Sequence, residues 1–99
     1  MPFTIVYSPA AVEHITALQR AEQVMVIDKV ELQLTHQPML PTRKRKLLRP
    51  NPLAPWQLRL DDVRVFYEVQ DEPAPVVNIK AIGKKIHNVL WIGGEKIVL

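Results

Sequence analysis

The stretch that decides the fold is Trp56-Gln57-Leu58-Arg59-Leu60-Asp61-Asp62-Val63-Arg64-Val65-Phe66-Tyr67-Glu68-Val69-Gln70. It alternates with period two on either side of Asp61-Asp62. Trp56, Leu58 and Leu60 face one way, and Gln57 and Arg59 the other. Val63, Val65, Tyr67 and Val69 share a face; Arg64, Phe66 and Glu68 share its reverse. Period two marks half-buried strands, and two polar residues between two such strands make a hairpin loop. The loop length sets the register: Leu60 pairs with Val63, Leu58 with Val65, and Arg59 with Arg64. Two guanidiniums then stand directly opposite, an arrangement that destabilises a sheet by up to about 1 kcal/mol. Either Asp61, Asp62 or Glu68 neutralises them, or they await a phosphate, which Arg binds through two parallel hydrogen bonds.

Working outward, Asp71-Glu72-Pro73 is a turn and Val76–Ile82 a third strand, ended by Gly83. The tail 84–99 reads as a turn followed by a short strand or ordered arm. Upstream, 38–55 is rich in proline and basic residues, an irregular connection with a short strand at Lys46–Arg49. Before it lie two amphipathic segments. Ser8-Pro9 supplies an N-cap and a first helical residue. Ala11, Val12, Ile15 and Leu18 then fall on one helical face. A break near Gln19–Ala21 starts a second stripe of Val26, Ile27, Val30 and Leu34, which His36-Gln37-Pro38 ends. Phe3–Tyr7 is an opening strand. The expected fold is α+β: an N-terminal strand and an antiparallel helical hairpin packed on a twisted antiparallel sheet of about four strands. Residues 1–99 make a single domain.

The chain has no cysteine, which removes disulfides, thiolate metal sites and a cysteine nucleophile. It has no metal-ligand spacing and no Gly-rich phosphate loop, so neither metal nor cofactor is expected. The start lacks the pattern of a secretory signal, and no stretch approaches a membrane span; a cytoplasmic protein is expected. The net charge of +3 is unevenly spread. Residues 1–39 carry two basic residues against four acidic ones, and residues 40–99 carry eleven against six. The second half therefore suits an anionic partner, nucleic acid first, although a solvated basic surface has the same composition. Arg43-Lys44-Arg45-Lys46 is its densest run.

The stretch from Lys46 to Val69 resembles the central signature of the RelE/ParE family of bacterial toxins: a basic-Leu segment, a small loop, an aromatic, the alternating strand, a polar turn and a second strand. Tyr7-Ser8-Pro9-Ala10-Ala11 and Ala81-Ile82-Gly83-Lys84-Lys85 are similar to its opening and closing segments. The resemblance implies the toxin of a type II toxin–antitoxin pair, with a cognate acidic antitoxin as partner and a homodimer or toxin–antitoxin hetero-oligomer as assembly. In the RelE branch it implies metal-independent mRNA cleavage on the ribosome, by attack of a 2′-hydroxyl on the adjacent phosphorus. Arg59, Arg64, Lys85 and His87 are then the candidate catalytic residues. Arg43, Lys44, Arg45, Lys46, Lys84 and Trp91 are the candidate RNA contacts, and all are expected on or around one concave basic surface. Gln57 stands where that family usually has a lysine, and Trp91 near its terminal tyrosine. The alternatives are a ParE-like gyrase poison without nuclease activity and a non-toxic small nucleic-acid-binding protein.

Overall fold

A computed structural model describes residues 2–99 and shows an α+β fold of two helices on a seven-stranded sheet. The chain runs β1 (Thr4–Tyr7), α1 (Pro9–Thr16), α2 (Arg20–Leu34), β2 (Arg45–Leu47), β3 (Trp56–Leu60), β4 (Val63–Gln70), β5 (Val76–Ile86), β6 (Val89–Ile92) and β7 (Glu95–Ile97). Strands β2 to β7 lie in chain order, each antiparallel to the next. The first strand joins them parallel to β5, with Thr4 opposite Val76 and Tyr7 opposite Ile79. No helix among the described residues is long and apolar enough to cross a membrane.

The β3–β4 hairpin has the expected register, Leu60 with Val63 through Trp56 with Tyr67. Asp61 closes the loop in the left-handed region, φ +55°. On the helix side, Val26, Val30 and Leu34 of α2 and Ala11 and Ile15 of α1 pack on Leu58, Val63, Val65, Tyr67, Val77 and Ile79. Tyr67 is fully buried; its hydroxyl donates to the Pro38 carbonyl at 2.7 Å, and its ring stacks on Trp56 at 6.0 Å. Burial pushes its pKa up. A smaller core lies on the reverse face, where Phe66, Ala54, Ala81 and Ile92 meet Leu48, Leu53, Leu90 and Ile97.

Four expectations need correction. The sheet has seven strands rather than about four, because the tail supplies β6 and β7. The strand expected at Lys46–Arg49 spans Arg45–Leu47. Val12 and Ile27 sit 48% and 46% exposed: their neighbours Ala11, Ile15, Val26 and Val30 already fill the space above the sheet. Finally, Gly83 does not end β5, which continues to Ile86. A Cβ on Gly83 would lie 2.5 Å from the Trp91 carbonyl oxygen and 2.6 Å from Cγ1 of Ile92. Glycine stands there because β6 crosses close over it.

One irregularity governs how β5 presents its side chains. Phe66 pairs with Ala81 but Tyr67 with Ile79, so Lys80 is an extra, unpaired residue. Such a bulge resets the alternation. Ile79 and Ile82 both reach the helix-side core as a result. Along the outer edge of β5, β1 pairs as far as Ile79 and β6 starts at Lys84. Helix α1 fills the gap. The Ser8 hydroxyl donates to the Lys80 carbonyl while accepting the Ala11 N–H as the helix cap, both at 3.0 Å. Nδ1 of His14 accepts the Ile82 N–H at 3.2 Å. Backbone groups left between two strands thus find side-chain partners.

Candidate functional site

The reverse face of the sheet carries cations in rows. Arg59 and Arg64 are a direct cross-strand pair, as the loop length requires. The Arg59 N–H donates to the Lys44 carbonyl at 2.8 Å, which brings Lys44 alongside as the third member of the row. On the other side Arg64 is opposite Gly83, which leaves the floor open there. The next row down holds Lys46, Gln57 and Phe66. Arg64 is partly buried. Its Nη1 donates to the carbonyls of Asp61 (2.6 Å) and Val63 (3.0 Å). Among the described residues its Nε and Nη2 have no acceptor, so one edge of the guanidinium is available. Burial first, then the Arg59 guanidinium, lowers the Arg64 pKa; Asp62 offsets part of this.

Arg64 also lines a groove of about 300 Å³, whose other polar residues are Gln57, Lys85, Asn88 and Lys96. Val89, Leu90 and the stretch Ile97–Leu99 make its apolar wall. Lys85 and Leu99 also border a wider cleft of about 820 Å³ along Lys46–Asn51, which adds Lys46 and Arg49. Five basic residues and no Asp, Glu, His or Tyr line the two clefts. The arrangement can bind a chain of phosphates and stabilise added negative charge on one of them.

The residues singled out from sequence divide between surfaces. Arg64 and Lys85 meet in the groove, and Lys46 borders the adjoining cleft. Arg59 and Lys44 line a neighbouring cleft at the β3–β4 turn, which Arg64 also borders. Arg43 is exposed and lines none of these three clefts. Lys84 lies on the opposite side of the sheet: its Nζ is 2.8 Å from Oε2 of Glu22 and 3.8 Å from Oδ2 of Asp62. The hydrogen bond to Glu22 raises the Lys84 pKa and lowers that of Glu22. Trp91 is paired with Lys84 and shares its side. Successive residues of a strand face opposite ways, which turns the Lys84 side chain away from that of Lys85.

His87 and Asn88 form the two-residue turn between β5 and β6, with φ +50° and +67°. His87 is exposed at its tip, and only Asn88 reaches the groove. Arg45 turns to the helix side. Its Nη1 donates to the carbonyls of Gln33 (2.8 Å), Gln37 (3.0 Å) and His36 (3.3 Å), holding the end of α2. Its Nε is buried without a partner among the described residues. Sequence reasoning missed Arg49 and Lys96 as lining residues. Their charge was visible, but nothing in the local pattern says that β7 returns across the sheet.

No family model matches the chain, and no curated protein does. Among solved structures, its fold is similar to that of a chain in the toxin–antitoxin complex RelBE2 from Mycobacterium tuberculosis. The TM-score is 0.71 at 22% identity, over 83% of this chain and 96% of that one.

Proposed function

We propose that the chain is the toxin of a type II toxin–antitoxin pair and that it arrests translation by cleaving mRNA on the ribosome. The observation that carries the reading is the groove, with its partly buried Arg64, flanking lysines and absence of acidic side chains. The likeness in fold to a chain of a toxin–antitoxin complex supports the class and an antitoxin as partner. In the reaction the 2′-hydroxyl gives its proton to water as its oxygen bonds to phosphorus, the bond from phosphorus to the 5′-oxygen breaks, and that oxygen takes a proton from water, leaving a 2′,3′-cyclic phosphate. The open edge of Arg64 receives the equatorial oxygens as their charge rises, and Lys85 adds a second positive charge. Gln57 and Asn88 hold ribose or base by neutral hydrogen bonds. His87 takes no part in this scheme.

A second reading has its own support. The groove offers no side chain with an ordinary pKa near neutrality, which suits a gyrase-binding toxin that needs no proton transfer. The test is induction in a bacterial host with separate measurement of amino-acid and thymidine incorporation. Loss of translation first supports the nuclease reading, and loss of replication first supports the gyrase reading. Arg64→Glu should restore colony counts by several orders of magnitude, and His87→Ala should not. Full toxicity from the Arg64→Glu protein would remove the phosphate role.

A further inference from the structure

We propose that the cleft at the β3–β4 turn is a second phosphate subsite, in which Lys29, Lys44 and Arg59 hold the backbone of the same RNA strand that Arg64 engages in the groove. The proposal rests on the nucleic-acid reading above and extends it to a surface on the far side of Arg64.

The cleft encloses about 300 Å³ between the middle of α2 and the hairpin turn. Four cations line it, Lys29, Lys44, Arg59 and Arg64, beside Asp61 and the apolar Met25 and Leu60. The ion pairs among the described residues are Lys80–Glu68, Lys84–Glu22 and Lys84–Asp62. None involves Lys29, Lys44 or Arg59, so four cations share the cleft with one carboxylate, Asp61, which forms an ion pair with none of them. On its helix, Lys29 has Met25, Val26, Leu32 and Gln33 at the i±3 and i±4 positions, so no neighbouring carboxylate can pair with it there.

Lys44, just before β2, lies beside Arg59 of β3 through its carbonyl, and Arg59 lies opposite Arg64 of β4, with neighbouring backbones about 4.8 Å apart. Like charges so aligned repel, and a sheet keeps them at a cost unless an anion lies across the row. Arg64 lines both this cleft and the groove, so a polyanion can pass from one to the other without leaving positive potential. Phosphates repeating along a single strand match such a path. An acidic peptide is the rival occupant. The continuity through Arg64 favours RNA, because the groove beyond holds Gln57 and Asn88, which suit sugars and bases.

The test uses the full chain and 2′-O-methyl oligonucleotides of three and eight nucleotides, which lack the attacking hydroxyl. Binding is followed by fluorescence anisotropy over a salt series, for the native protein and for Lys29→Ala, Lys44→Ala and the double variant. Both lysines are exposed. For the octamer, the slope of log K against log salt should shrink by roughly 0.7 for each phosphate deprived of its lysine. The trimer, seated in the groove alone, should bind as before. An unchanged octamer slope and affinity in the double variant would overturn the subsite while leaving the groove intact. Displacement of the octamer by an oligoglutamate of equal charge, as readily as by RNA, would reassign the cleft to an acidic protein segment. Failure of the native protein to bind either oligonucleotide would overturn this inference and the nuclease reading together.

Discussion

His14 accepts the Ile82 N–H on Nδ1 and so works only while that nitrogen is unprotonated. Burial lowers its pKa below the ordinary 6.5, and Glu13 offsets only part of the effect. The native state therefore binds fewer protons than the unfolded chain between the lowered value and 6.5. This contribution to stability is complete above about pH 6.5 and is lost as pH falls through the native pKa. The urea midpoint should drop between pH 7 and pH 5. In His14→Gln, whose amide oxygen accepts but does not titrate, the drop should be smaller. A His14 resonance titrating above 6.5 by NMR would contradict the assignment. None of this was legible in the sequence, where His14 is one polar position on a short helix. It depends on the gap between β1 and β6, which periodicity does not reveal. The Arg59–Arg64 pair, in contrast, was legible to the residue, because a two-residue loop leaves a single register.

Among the elements, β5 departs most from its sequence reading. Gly83 resembles a terminator because glycine weakens strands, yet here the missing side chain admits β6. Gly83→Ala should cost about 1–3 kcal/mol, the usual range for overpacking, since the colliding carbonyl of Trp91 is backbone and cannot rotate away. Differential scanning calorimetry would measure the loss, and a melting temperature equal to that of the native protein would refute the close crossing. The same variant should loosen the groove wall at Leu90 and weaken trimer binding beyond the effect on stability. The Lys80 bulge explains why the site was only partly readable. It sets Lys85 on the reverse face and sends Lys84 to Glu22. A count of basic residues reveals the cations of this segment but cannot sort them by side. Arg45 makes the same point: it belongs to the densest basic run and directs its charge to the carbonyls that end α2.

At the scale of the molecule, Lys46, Arg49, Arg64 and Lys85 line clefts on the face that the helices leave open, whereas Arg45 and Lys84 turn to the helices. The parallel pairing of β1 with β5 joins residues 72 positions apart, Thr4 with Val76. Closing so long a loop costs entropy before any contact offsets it, so this joint forms late. Ile5→Ala in β1 should speed unfolding and leave the refolding rate nearly unchanged, whereas Val65→Ala in the β3–β4 hairpin should slow refolding. Stopped-flow chevrons would separate the two; a φ-value near 1 for Ile5 would overturn the order. Synthesis on the ribosome gives this a timetable. Helices α1 and α2 are made first, but the strand that receives Ile15, Val26 and Val30 arrives dozens of codons later. Through that interval the nascent chain carries an uncovered greasy stripe, a natural foothold for a chaperone, while the strands that wall the groove are still unmade.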